Sequence, residues 1–360
     1  MSEKKKKVMP KKSSIDFGAI EQLNQGLIKD LKLKDRSIMN FKKDPVVRNL
    51  ISTRRPTIDF VTGGGFPEGS VVIVAGAKHS GKTSLCLQIA DSYDGAIAYL
   101  DTEFTTDTKY IESLGIDSEK IFRYKAENIE QMSDILRRLI TSGKFEIIIW
   151  DSVSNIASME ELAKESGDRT RANSAIVLST QFKIWAPLLE ETGTTLVCIT
   201  HVSQNQNKAN KYSPDYIIPG GERMHHNSSL TLMLSASSKV DSGVNEFGIK
   251  DYVGRQVRIV CEKNKSGAPL RSIKTKFVFG RGYTIADDVL FAAKESGIVT
   301  KGTWSKYGEV KLGQGETKQI QFLEDNPEIL EEIREKTMEV LLGNSSDYEI
   351  ESVDAELAKD

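Results

Sequence analysis

The chain has 360 residues, 39% of them hydrophobic, which is enough for one large core with smaller satellites. A formal charge of −2 gives no overall bias for or against a polyanionic partner. No apolar run reaches membrane-spanning length, and the three scattered cysteines, Cys86, Cys198 and Cys261, form no CxxC pair. That pattern excludes a disulfide framework and argues for reduced, buried thiols in a cytoplasmic protein.

The first twelve residues hold six lysines against Glu3, with no apolar signal core behind them, so no secretion signal is expected. Such a run reads as a solvated tail. Over residues 13–40, Ile20, Leu23, Leu27, Ile28 and Leu31 recur at helical spacing opposite lysines. A single amphipathic helix is too little for a domain and must dock on this chain's core or on another subunit.

Gly76-Ala77-Lys78-His79-Ser80-Gly81-Lys82-Thr83, followed by Ser84, fits G-x-x-x-x-G-K-[ST]. Such a loop wraps phosphate oxygens with inward-facing amides; its Lys reaches the β- and γ-phosphates and its Thr hydroxyl can sit on Mg²⁺. The β-branched run Ser70–Ala75 reads as a buried strand before it. Leu85, Cys86, Ile89, Ala90 and Tyr93 read as a helix after it. Strand, loop and helix is the context that the pattern requires, and it predicts a nucleoside triphosphate site.

Further apolar runs follow at Ala96–Leu100, Glu146–Trp150 and Thr195–Ile199, with a helical pattern between them at Ile129, Met132, Ile135, Leu136, Leu139 and Ile140. The alternation implies an α/β core with a mostly parallel central sheet covered on both faces. Strands at Leu230–Leu234, Gln256–Val260 and Thr275–Phe279 are closer together and fit antiparallel additions at its edge. Three strands end in polar residues: Glu103 after the second, Asp151 at the end of Ile147–Asp151, and His201 after Ile199. Asp151 suits Mg²⁺, Glu103 can polarise an attacking water, and His201 can sense a γ-phosphate. Taken singly, each has a plainer explanation: a capping Asp, a surface-loop Glu, a loop His. His225-His226 has no third ligand at suitable spacing and is a poor metal site.

From about Gly282 the pattern changes. Asp287–Ser296 reads as a helix, and Thr303–Tyr307 with Glu309–Leu312 as a hairpin around Gly308. A last helix has Asn326 as N-cap, Pro327 in its first turn and Gly343 at its end. The resulting division is a basic tail and arm at 1–45, a core at 46–281, a small α/β domain at 282–343 and an acidic tail at 344–360. Six carboxylates in that tail would compete with nucleic-acid phosphate.

From Ile51 to Leu342 the sequence resembles the RecA-type homologous recombinases. Glu103, Asp107 and Tyr110 resemble that family's catalytic glutamate, adenine-contacting aspartate and stacking tyrosine. Asp151-Ser152 is similar to its second Mg²⁺ motif, and Lys263 and Lys265 to the lysine pair that reaches a neighbouring subunit's γ-phosphate. Trp304, Tyr307, Lys311–Gly315 and Asn326–Glu328 resemble the C-terminal domain of bacterial RecA. His201 stands where bacterial RecA has glutamine, and histidine there is similar to the phage UvsX-type recombinases.

The resemblance implies a DNA-dependent ATPase, using ATP and Mg²⁺, that forms filaments on single-stranded DNA and exchanges strands with a homologous duplex. A single-strand-binding protein and a loader are expected partners, and a membrane is not. It also implies two DNA loops. The first, near Ser158–Ser174, offers Arg169 and Arg171. The second, near Val202–Gly221, offers Lys208, Lys211 and Tyr212 and closes on Gly220 and Gly221. Two alternatives stand beside this one: a hexameric replicative helicase with the same core, and a non-catalytic paralogue that loads or regulates a recombinase.

Overall fold

The structure, a computed structural model, describes residues 17–33, 37, 38, 40, 48–163, 173–205, 216–219, 222–244 and 250–343. Both charged tails fall outside the described residues. The chain divides into two units, residues 1–48 and 49–360. The first contains one described helix, α1 (Phe17–Leu31), on which Phe17, Ile20, Leu23, Leu27, Ile28 and Leu31 are all exposed.

The second unit opens with a ribbon of β1 (Leu50–Ile51) against β2 (Phe66–Pro67), which brackets α2 (Pro56–Thr62). Pro56 occupies the first turn of α2, where a missing amide costs nothing. Strands and helices then alternate: β3 (Val71–Gly76), α3 (Lys82–Ala90), β4 (Ile97–Asp101), α4 (Thr108–Ser113), β5 (Ile121–Tyr124), α5 (Ile129–Ser142), β6 (Ile147–Asp151), α6 (Met159–Leu162), α7 (Asn173–Thr192) and β7 (Thr195–His201). A small ribbon, β8 (Ser203–Gln204) with β9 (Tyr216–Ile217), and the short α8 (Glu222–Asn227) lead to β10 (Ser228–Val244), β11 (Lys250–Asn264) and β12 (Ser272–Val278).

Eight strands make one sheet in the order β12-β11-β10-β3-β7-β6-β4-β5. The strands from β10 to β5 in that order pair in parallel; β11 and β12 add antiparallel. Two strand expectations are corrected. The strand containing Leu230–Leu234 runs parallel to β3, because α8 returns the chain to the sheet's starting end. Also, β10 and β11 are 17 and 15 residues long rather than short runs.

Alternate residues of the central strands feed two cores. Val72, Val74, Ile147, Ile149, Val197 and Ile199 pack against Leu85 and Ile89 of α3. Ile73, Ile148, Trp150, Leu196 and Cys198 pack against Met132 and Leu136 of α5 and Phe182 and Trp185 of α7. Burial on both faces is why these strands read as unbroken apolar runs.

The small C-terminal α/β domain comprises α9 (Ile285–Glu295), β13 (Trp304–Tyr307), β14 (Val310–Gln314), α10 (Glu316–Asp325) and α11 (Pro327–Gly343). Val289, Leu290, Val299, Leu312, Leu323 and Ile333 form its own core. Asn326 differs from expectation: its side-chain amide donates to the Phe322 carbonyl at 2.7 Å, so it closes α10 while its own carbonyl starts α11.

Candidate active site

The C-terminal ends of β3, β7, β6 and β4 lie side by side. Gly76 is in register with His201, and Asp151 with both Ile199 and Asp101. One sheet edge therefore carries the phosphate loop, Glu103, Asp151 and His201 together. This is where an open α/β sheet places its ligand.

The loop after β3 turns through His79, which sits in the left-handed region (φ 61°), and Gly81 (φ 80°), before α3 begins at Lys82. Histidine tolerates that conformation better than a β-branched residue does, which accounts for His79 conformationally. Lys82 is buried, and its Nζ donates to the Ala77 carbonyl at 3.0 Å and contacts His201 Nδ1 at 3.2 Å. Burial lowers the pKa of its ammonium, against the pull of Asp151 and Glu103.

His201 Nε2 lies 2.5 Å from Glu103 Oε1. An ammonium can only donate, so Nδ1 must accept from Lys82, and Nε2–H then donates to Glu103. Lys82, His201 and Glu103 thus form one chain of hydrogen bonds across the mouth of the loop. Glu103 itself is aimed by its backbone: Asp101 Oδ1 accepts from the amides of Glu103 (3.1 Å) and Phe104 (2.7 Å). Asp101 is buried and paired with Arg123 of β5. Thr102 adds bonds from its amide to the Asp151 carbonyl (2.8 Å) and from its hydroxyl to the Ser152 carbonyl (2.7 Å).

Asp151 Oδ2 accepts from the Thr83 hydroxyl at 2.5 Å and from the Tyr99 hydroxyl at 3.1 Å, while Oδ1 is buried without a protein partner. Burial, then repulsion from Glu103, push the Asp151 carboxyl up to about 6, with the Thr83 and Tyr99 bonds opposing. An unpartnered carboxylate oxygen beside a threonine hydroxyl fits Mg²⁺, which takes few protein oxygens and completes its shell with phosphate and water. Among the described residues there is no cluster of three or more His, Cys, Asp or Glu able to hold a metal by themselves.

These groups line a cavity of about 470 Å³ together with Tyr110, Arg255, Phe277 and Phe279. Tyr110 Oη meets Ser84 Oγ at 2.5 Å, which ties α4 to the first turn of α3. The last three residues were not expected from the sequence. Phe277 lies near the end of the far edge strand β12 and Phe279 just past it, and Arg255 on β11 lies over the Phe279 ring, 6.0 Å from its centre. The only prior signal was an aromatic pair spaced by two at a strand end.

The structure does not bring every expected residue to this cavity. Asp107 caps α4 by accepting from the Tyr110 amide at 2.7 Å, and it is exposed. Lys263 and Lys265 turn to the end of α8. Lys263 Nζ donates to the carbonyls of His225 and His226, and Lys265 Nζ to that of His226 at 3.1 Å. Arg169, Arg171, Lys208, Lys211, Tyr212, Gly220 and Gly221 lie outside the described residues.

Comparisons with known proteins define the class. The RecA N-terminal domain model matches residues 21–284 and the RecA C-terminal domain model residues 288–342. Protein RecA of Thermus aquaticus is 31% identical over 296 residues, covering 81% of this chain and 85% of that protein. Protein RecA of Bifidobacterium breve is 30% identical over 365 residues, covering 99% and 89%. The solved structure of the RadB recombinase aligns at 18% identity with a TM-score of 0.49, covering 65% of this chain and 98% of that one. The chain belongs to the RecA family, the DNA-dependent ATPases of homologous recombination and repair. The ring-helicase alternative finds no support, and no described helix is long and apolar enough to cross a membrane.

Proposed function

We propose that this protein polymerises on single-stranded DNA in the presence of ATP and Mg²⁺, and that the filament pairs and exchanges strands with a homologous duplex. The observation that carries the reading is the Lys82–His201–Glu103 chain beside the Thr83–Asp151 pair on one sheet edge. Loop amides and Lys82 hold the phosphates. Thr83 and Asp151 hold Mg²⁺, which when bound neutralises charge on the β- and γ-phosphates. Glu103 orients and deprotonates the attacking water, and His201 reports whether the γ-phosphate stands between it and Lys82. Phe277, Phe279 and Tyr110 offer aromatic faces to the base.

In the filament, Lys263 and Lys265 would leave the α8 carbonyls for a neighbouring subunit's nucleotide. The exposed apolar stripe of α1 would dock on the neighbouring core, a head-to-tail contact that generates an open helix. The loops at 158–174 and 202–221 bind DNA without reading sequence. A single-strand-binding protein and a loader fit as partners in the cytoplasm, and His201 favours a phage-type, UvsX-like member.

The test is ATP hydrolysis with and without single-stranded DNA. Wild type should be stimulated by DNA. Lys82→Ala should lose nucleotide binding, and Glu103→Gln should bind nucleotide but not turn it over. Hydrolysis that survives both substitutions would overturn the reading. A Lys82→Ala protein that retains its full effect on recombination would point instead to a non-catalytic mediator.

A further inference from the structure

We propose that Tyr283 is a positioning residue that ties the phosphate loop to the C-terminal domain, so that the placement of that domain sets nucleotide affinity. The proposal rests on the reading of Gly76–Thr83 as the phosphate cradle. Tyr283 lies between β12 and α9 and is only 2% exposed. Its hydroxyl donates to the Ser80 carbonyl at 3.1 Å. That carbonyl shares a rigid peptide plane with the Gly81 amide. Holding the Ser80 oxygen therefore fixes the direction of one N–H in a loop whose N–H groups are the ligands for phosphate. The fit leaves no slack: a Cβ on Gly81 would lie 2.6 Å from the phenol oxygen and 3.0 Å from the Phe277 ring.

Tyr283 is itself clamped on both sides of its backbone. Its amide donates to Gln88 Oε1 at 2.7 Å, and its carbonyl accepts from Arg55 Nε at 3.0 Å. Gln88 stands on α3, the helix that the phosphate loop feeds, and also donates to the Arg281 carbonyl at 2.9 Å. On the other side, Thr284 caps α9 through the Asp287 amide (3.2 Å), and Asp288 accepts from the amide (3.0 Å) and hydroxyl of Thr57 on α2. The next residues of α9, Val289, Leu290 and Ala293, build the core of the C-terminal domain. A shift of α9 against α2 has to pull on residues 283–288. The link from that path to the loop backbone is one neutral hydrogen bond, from the Tyr283 hydroxyl to the Ser80 carbonyl. A load on the C-terminal domain would therefore be felt at the phosphates without any contact to the nucleotide.

Tyr283→Phe removes that bond and keeps the ring, including its edge contact with Phe277 at 5.2 Å. The expected result is a rise of roughly three- to tenfold in the Kd for a fluorescent ATP analogue and in KM for ATP, with kcat at saturation little changed. Amide hydrogen exchange at residues 80–82 should accelerate. Thr57→Val, distant from the loop, should move Kd in the same direction, and its effect should be non-additive with Tyr283→Phe. Unchanged Kd, KM and exchange in Tyr283→Phe, whatever happens to Tm, would overturn the proposal, as would strict additivity of the two changes. Lys82→Ala in the same titration keeps the two readings apart. If it binds like wild type, the cradle reading fails. If it loses binding while Tyr283→Phe does not, only the buttress fails.

Discussion

His201 holds Lys82 on one ring nitrogen and Glu103 on the other, so the first residue of α3 and the tips of β4 and β7 behave as one unit. Removing the carboxylate charge with Glu103→Gln is expected to lower kcat by about 100-fold or more, the usual worth of a general base, while nucleotide Kd stays near wild type. Rapid-quench hydrolysis beside equilibrium binding would measure both. Asp151 gives a pH signature of definite sign. Its folded-state pKa, about 6, is above the ordinary 3.8, so the folded chain holds this proton more tightly than the unfolded chain does. Its contribution to stability is fully present below the unfolded value and is lost as pH rises through about 6. Between pH 7 and pH 5 the free protein should therefore gain on the order of 1 kcal/mol from this group. Asp288, also raised to about 6, contributes in the same direction, so the difference between wild type and Asp151→Asn isolates Asp151. Mg²⁺ needs the ionised form, and Mg²⁺-nucleotide affinity should weaken over the same interval. Thermal melts with and without Mg²⁺-nucleotide across that range check both signs.

At the scale of elements, α9 is seated on α2 by Asp288, which is fully buried and accepts from Thr57. Asp288→Ala would strand the buried Thr57 amide and hydroxyl without their acceptor, and a loss of about 2–4 kcal/mol is expected in urea unfolding. An unchanged midpoint would mean that the joint is not under load. The same element shows what a sequence hides. Strands buried on both faces announce themselves as apolar runs, and β3, β4, β6 and β7 with their polar tips were legible for that reason. Edge strand β5 was not, because Ile121–Tyr124 is only partly buried and has no run to show. Helix α10 is too polar to display a face, and Asn326 looked like a cap because a side chain's direction is not written in its type. In the site, Glu103, Asp151 and His201 were legible as strand tips. Asp101, Arg255, Phe277, Phe279 and Tyr283 were not, since their roles arise from contacts across long sequence separations. Asp107, which resemblance alone assigns to the adenine, caps α4 through the Tyr110 amide.

At the scale of the whole molecule, α1 carries six exposed apolar side chains that a lone helix cannot bury. A chain starting at Ser37 should keep the fold of residues 49–343 and lose filaments on single-stranded DNA under the electron microscope. Filaments of normal length would refute the arm's role. The nucleotide on the β3–β7 edge is expected to drive strand exchange. This is tested most directly by pairing a circular single strand with its homologous linear duplex, with ATP, without ATP, and with Lys82→Ala. Joint molecules and nicked-circle product are expected with wild type and ATP only. Equal product without nucleotide, or from Lys82→Ala, would contradict that role.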